Sequence, residues 1–280
     1  MEFKELIFIS GKGGTGKSTF SAWLGLHLAN QGKRVLLVEL QDTSSVASLL
    51  GLSSKFSYKP TPSGLGFDLA LLTGLDCLVE YVGHFTRLEG LTQKVFESSV
   101  LKSLVNVAPG LNDLSLLGKL TSHFRGHGPS FKYDHIIVDA PSTGSFASLI
   151  NAPKTLGKSV SRGPLHTQSM AIDECLKNTQ KVQYLFMTLF EELPMDELED
   201  TLAAFHDGYS EQINVVANRF IGFGSSSASK GPWFQFVESK LNQQTSQLER
   251  LKALWARALK FDLITDPLKE ALQRGEIRPL

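Results

Sequence analysis

The chain has 280 residues with 42% hydrophobic content, a globular composition with room for one large domain or two small ones. Its 28 Lys plus Arg balance 28 Asp plus Glu, which leaves none of the cationic excess that nonspecific nucleic-acid binding needs and excludes nucleic acid as a main partner. Two isolated cysteines, Cys77 and Cys175, form no C-x-x-C pair; they exclude a disulfide framework and a tetrahedral zinc site and read as small buried hydrophobes in a reduced compartment.

In chain order, the opening Met-Glu-Phe-Lys-Glu shows no cationic stretch leading into an apolar one, so no signal peptide is expected. Leu6–Ile9 is a short, wholly apolar run, the pattern of a strand buried on both faces of a parallel sheet. Ser10–Gly16 is a glycine-rich loop. Lys17–Gln31 carries apolar residues at helical spacing (Phe20, Trp23, Leu24, Leu28) and stops at Gly32. Val35–Val38 is the next strand, completing a βαβ unit within about 35 residues.

Ser53–Gly66, rich in Ser, Gly and Pro, reads as a loop. From about residue 75 to about 125 the alternation breaks into helical patterns. These run first through Leu78, Tyr81, Val82 and Phe85, then through Val95, Leu101, Leu104 and Val105, and last over Leu114–Phe124. His135–Val138, Val182–Leu189 and Ile213–Ala217 are further strands of the same sheet, and Phe261–Ile264 is a candidate last strand. Gly222–Gly231 is a second loop. The expected fold is α/β: one domain over residues 1–280, a mainly parallel sheet flanked by helices, with residues 75–125 as a helical insertion. Apolar runs fall far short of the roughly 18 residues of a membrane span, so a cytoplasmic protein without a transmembrane segment is expected.

Gly11-Lys12-Gly13-Gly14-Thr15-Gly16-Lys17-Ser18-Thr19 fits G-x-x-x-x-G-K-[ST] between a strand and a helix. Its glycines let successive N–H groups turn inward around an anion, and the helix N-terminus adds free donors. Lys17 is placed for the β- and γ-phosphates of ATP and the Ser18 hydroxyl for Mg²⁺. Asp139 stands at the C-terminal end of a strand, where open α/β sheets bind ligands. It reads as a Walker-B-type residue holding Mg²⁺ through water, or else as a helix-capping or loop aspartate. By residue type alone Lys12 is equally a solvated lysine, and Asn218 is a plain turn residue or an amide able to pair with adenine.

The loop Gly-Lys-Gly-Gly-x-Gly-Lys-Ser, with its lysine one residue in, resembles the deviant P-loop of the group that includes ArsA, ParA, MinD and the nitrogenase iron protein. Asp139–Gly144, reading Asp-Ala-Pro-Ser-Thr-Gly and followed by Leu149 and Ala152-Pro153, is similar to switch II of the ArsA-like ATPases, which include the tail-anchored-protein targeting ATPases. Glu191-Glu192-Leu193-Pro194 and Asn218-Arg219-Phe220 agree with that branch. The resemblance implies a P-loop ATPase fold and ATP hydrolysis with Mg²⁺. It further implies a homodimer or a heterodimer with a paralogue, in which Lys12 reaches the other subunit's nucleotide. Asn218, with Arg219 beside it, would contact the adenine. Nucleotide state would switch a helical region that binds a protein client or a membrane-protein partner.

The chain departs from that pattern after its second strand. ArsA-like enzymes carry a switch I Asp there, within Asp-Pro-Ala; this chain reads Glu39-Leu40-Gln41-Asp42-Thr43-Ser44-Ser45, with Gln41 at that position. A glutamine orients water but is no base. Either hydrolysis is slow, or Glu39 or Asp42 takes the role; the alternative is a hydrolysis-poor regulatory subunit paired with an active paralogue. Metalloid-binding cysteine clusters, the zinc C-x-x-C of targeting ATPases and a Met-rich groove are all missing, the methionines being only Met1, Met170, Met187 and Met195. Arsenite is not supported as a ligand.

Overall fold

A computed structural model describes residues 2–53, 55–86, 110–220, 232–254, 258–262 and 277–279. The described strands are β1 (Leu6–Gly11), β2 (Val35–Glu39), β3 (Thr61–Pro62), β4 (Asp68–Leu71), β5 (His135–Asp139), β6 (Val182–Leu189), β7 (Ile213–Phe220), β8 (Ala258–Asp262) and β9 (Ile277–Pro279). The helices are α1 (Lys17–Asn30), α2 (Ser45–Leu50), α3 (Gly74–Thr86), α4 (Leu111–Arg125), α5 (Thr143–Ser159), α6 (Pro164–Leu176), α7 (Glu192–Tyr209) and α8 (Pro232–Leu254).

The strands form one nine-stranded sheet in the order β3-β4-β2-β5-β1-β6-β7-β8-β9. The seven inner strands pair in parallel and the two edge strands antiparallel. The expected α/β sheet flanked by helices is therefore present. Side chains alternate along each strand and divide the core between two faces. Leu6 and Phe8 face a core shared with α4 to α7, whereas Ile7 and Ile9 face one built on α1 and α2. The four apolar residues that mark α1 in the sequence, Phe20, Trp23, Leu24 and Leu28, are all buried there.

Three strands escape the sequence reading. β3 lies inside the run read as a loop, and β4 follows it directly. Two residues antiparallel to a neighbour leave little pattern, and Pro62, which lacks an N–H, suits an edge. β9 is a three-residue edge strand. β8 begins at Ala258, three residues before the expected Phe261, and residues 263–264 lie outside the described residues. The helical pattern through Val95 to Val105 and the loop Gly222–Gly231 also lie outside them. α3 and α4 fall where the helical insertion was expected, between β4 and β5. No helix among the described residues is long and apolar enough to cross a membrane.

β1 lies between β5 and β6, and its connection to β2 passes β5 while that from β5 to β6 passes β1. The loops that leave β1 and β5 therefore emerge side by side at the carboxyl edge, where such sheets bind ligands. Phe146, on the first turns of α5, anchors this edge: its ring stacks on Phe205 at 5.7 Å and meets Phe8 at 5.7 Å and Phe186 at 5.9 Å. Phe146→Ala should cost about 3–5 kcal/mol of unfolding free energy, as deletion of a fully buried aromatic does. Urea denaturation of the two proteins checks it.

Candidate functional site

The phosphate loop runs from the end of β1 into α1. Gly14 and Gly16 adopt left-handed backbone, with φ of 83° and 93°, and glycine is required at Gly11 by a backbone neighbour and at Gly16 by this conformation. A Cβ on Gly11 would lie 2.3 Å from the Met187 carbonyl of β6, and one on Gly16 would lie 2.3 Å from Asn218 Nδ2. At Gly13 and Gly14 the same construction meets nothing within 4 Å, so the outer rim of the loop is open. Thr15 is buried, and its hydroxyl and N–H both donate to the Lys12 carbonyl, at 2.7 and 3.3 Å. Lys17 Nζ donates to the Gly11 and Lys12 carbonyls at 3.1 and 3.4 Å. Burial lowers the Lys17 pKa, while the carboxylates of Asp139 and Glu197 oppose that shift. Ser18 and Thr19 follow, half-buried, on the first turn of α1.

Asp139 closes β5, in register with Ile9 of β1 and Glu39 of β2. Its carboxylate accepts hydrogen bonds from the hydroxyls of Ser18 and Ser21. Its pKa is raised to about 6, first by burial and then by Glu39, against the pull of Ser18, Lys17 and Ser21. A serine hydroxyl and a carboxylate in contact are hard oxygen donors, the set with which Mg²⁺ is held beside phosphates. The donor set and the open glycine rim fit Mg²⁺ and a phosphate chain. Ser10 Oγ donates to the Pro141 carbonyl at 2.7 Å, tying the loop after β5 to the end of β1.

The three acidic or amide residues after β2 divide sharply. Glu39 is 1% exposed, and its carboxylate accepts from the Ser45 N–H at 2.7 Å, the Val46 N–H at 3.2 Å, Gln41 Nε2 at 3.1 Å and the Ser44 hydroxyl. It caps α2 and is fully engaged. Gln41 Nε2 also donates to Ser45 Oγ at 2.9 Å, and no partner among the described residues engages its carbonyl oxygen. Asp42 is exposed.

Lys12 and Asn218 bring in elements distant in sequence. Lys12 Nζ pairs with Glu197 Oε2 of α7 at 2.7 Å, and the other oxygen of Glu197 accepts the Thr143 hydroxyl at the start of α5. One carboxylate thus clasps the phosphate loop to the segment after Asp139. Asn218, at the carboxyl end of β7, is buried; its Nδ2 donates to the Thr15 carbonyl at 2.8 Å and its Oδ1 accepts the Arg219 N–H at 2.7 Å. One N–H and one lone pair of the amide remain. Arg219 itself is exposed, with a left-handed φ of 56°.

A family model described as anion-transporting ATPase matches residues 4–214. The chain belongs to this ArsA-like ATPase family. It is 32% identical over 226 residues to ATPase BagA of Mycobacterium tuberculosis, an overlap covering 77% of this chain and 65% of that protein. It is 25% identical over 159 residues to the arsenical pump-driving ATPase of Acidiphilium multivorum, covering 56% of this chain and 27% of that one. It is also similar to ATPase ASNA1 homolog 1 of Paramecium tetraurelia, 26% identical over 157 residues, with 56% of this chain and 46% of that protein covered. The chain thus spans just under two thirds of the length of its mycobacterial relative.

In this ArsA-like chain the fold brings Lys17, Ser18 and Asp139 together under the glycine loop and sets Gln41 and Glu39 on the neighbouring strand end. Asp42 stands apart from that cluster as an exposed residue. Sequence reasoning missed Glu197, Ser10 and Ser21. Glu197 sits in the acidic run Asp196–Asp200, where nothing local separates it from a solvated helix face; only the contact with Lys12 does.

Burying an ionised Asp139 weakens the fold. Its folded pKa of about 6 lies above the ordinary 3.8, so the penalty is absent below the ordinary value, grows as pH rises through this window and is complete above 6. Asp139→Asn should therefore stabilise the protein at pH 8, by up to about 3 kcal/mol, and the gain should vanish towards pH 4. Thermal melts of both proteins across that range check the sign.

Proposed function

We propose that this chain binds ATP with Mg²⁺ and hydrolyses it slowly, as one half of an ArsA-like dimer whose nucleotide state switches its helical side. One observation carries the reading: the glycine loop, the half-buried Lys17 and the Ser18–Asp139 pair converge at the carboxyl edge of β1 and β5 in a chain of this family.

On this reading the loop N–H groups from Gly13 to Lys17 hold the phosphates, and Lys17 exchanges its bonds to loop carbonyls for bonds to the β- and γ-phosphates. Ser18 and Asp139 hold Mg²⁺, which neutralises charge on the phosphates. Asn218 uses its remaining N–H and lone pair on the adenine, with Arg219 at the site's margin. Gln41 turns its carbonyl oxygen to the attacking water, held in place by Glu39 and Ser45. Glu39, whose carboxylate is occupied by four donors, positions Gln41 rather than taking a proton. Placement and charge neutralisation carry most of phosphoryl transfer, so turnover without a base is slow rather than nil. Products are ADP and inorganic phosphate.

The same occupied Glu39 supports a second reading, a nucleotide-holding regulatory subunit paired with an active paralogue. Phosphate release by the purified chain, alone and with candidate paralogues, separates the two; robust turnover alone defeats the second. The client is a protein or membrane-protein partner of the helical side, and the site of action is the cytoplasm. Co-purification from the native cell identifies the partner.

Two variants test the roles of the lysines. Lys17→Ala should abolish binding of a fluorescent ATP analogue, whereas Lys12→Ala should leave binding intact and lower turnover in the dimer. Equal loss of binding in both would sink the cross-dimer role. For Lys12 to reach a second subunit it must first leave Glu197. Glu197→Gln should accordingly leave ATP-analogue binding unchanged and raise turnover in the dimer about two- to fivefold, the scale set by a half-exposed ion pair. A weaker affinity in that variant would instead assign Glu197 to the nucleotide complex.

A further inference from the structure

Between α3, α4 and α6 lies a cavity of about 200 Å³, none of whose lining residues belongs to the phosphate loop or to the segments after β2 and β5. Its walls are largely apolar and include Leu78 of α3, Leu111 and Leu114 of α4, and Leu165 and Ile172 of α6. Leu165 is 37% exposed, so the space reaches the surface at the start of α6. An apolar cavity of roughly 150 Å³ is already large enough to take up benzene.

Two features set this space apart from a packing fault. The first is Gly118, in the middle of α4, where glycine costs helix stability relative to alanine. A Cβ there would meet Ile172 Cδ1 at 3.6 Å and Arg125 Nη2 at 3.9 Å, ordinary contacts. Alanine would fit, whereas a larger side chain at this position would enter the space. The second is Arg125, the last residue of α4, which lines the same cavity. Its Nε donates to Thr121 Oγ1 at 2.9 Å, Nη1 to Gln168 Oε1 at 2.7 Å and Nη2 to the Gly118 carbonyl at 2.9 Å. No carboxylate among the described residues pairs with it, and burial lowers its pKa, opposed only by Cys175 and Tyr81. A guanidinium has five N–H donors; three contacts leave two. Lys119 also lines the cavity, but its ammonium is committed to Glu80 at 2.5 Å.

A half-buried cation without a counter-ion among the described residues, set in a largely apolar wall, asks for an anion that brings its own apolar surface. A carboxylate matches the planar guanidinium fork. We propose that this cavity binds a small aliphatic carboxylate of the medium-chain fatty-acid type, its head on Arg125 and its tail among the leucines. A bare phosphate would leave those leucines uncovered, and a neutral aliphatic would leave Arg125 unpaired.

Calorimetric titration of the full chain with sodium octanoate tests this, with octan-1-ol as the same tail without the charge. Saturable one-to-one binding of octanoate is expected, with octanol weaker by about tenfold or more, the scale of a charge-assisted hydrogen bond. Arg125→Met should weaken octanoate by a similar factor. Gly118→Leu should block it, while Gly118→Ala keeps both fold and binding; circular dichroism verifies that each variant is folded. The site is ruled out if the wild-type protein shows no saturable octanoate binding. It is equally ruled out if octanol binds as tightly, or if folded Arg125→Met or Gly118→Leu binds octanoate like the wild type. The comparison of octanoate with octanol on the unmodified chain decides even if a variant fails to fold.

Discussion

Lys17 and Asp139 are withdrawn from water at the same end of the sheet, and burial pushes their ionisations towards neutrality from opposite sides. Neither is neutralised by a close ion pair among the described residues. The ammonium leans on backbone carbonyls and the carboxylate on two serine hydroxyls. Each charge is thus held in place by partners weaker than a counter-ion, at a cost the surrounding core must offset. That arrangement suits a site meant to exchange its internal bonds for those of a multiply charged ligand, because the protein gives up little in the exchange.

The rest of the carboxyl edge is arranged around that pair. A side chain on Gly11 would run into the Met187 carbonyl, and one on Gly16 would strain its left-handed backbone and press on the Asn218 amide. These close approaches seat the loop against β6 and β7 and hold α1's first turn over β5. The aromatic cluster of Phe8, Phe146, Tyr184 and Phe205 lies beneath on the opposite face, so the segment after Asp139 starts from a firmly packed helix. Movement there has to involve the hydrogen-bonded ends, Ser10 to Pro141 and Thr143 to Glu197, rather than the packed body of α5.

Carboxylates at this edge do different work according to what surrounds them. Asp139 is half-buried and accepts from two serine hydroxyls. Glu39 is more deeply buried and is saturated by the first turn of α2 and its preceding residues, which makes it a structural cap. Glu197 is half-exposed and shared between a lysine and a threonine, so its bond is readily exchanged. Residue type alone would assign all three the same chemistry.

By itself the sequence determined the parallel α/β sheet, the βαβ opening and the loop with Lys17 and Ser18, because buried strands, an amphipathic helix and a glycine cradle each leave a dense local pattern. Asp139 at a strand end was legible for the same reason. Only the tertiary structure decided that Glu197 holds Lys12 and that Asn218 lies beneath Thr15, since these contacts join residues 185 and 203 positions apart; that Glu39 caps α2 is a local contact, but one that residue type alone does not distinguish from a free carboxylate. The short edge strands β3 and β9 were likewise beyond reach, because two or three residues gain their conformation from a neighbouring strand and not from any period of their own. A local pattern records what each segment buries; which charges it meets is settled by the topology that brings distant strand ends to one edge.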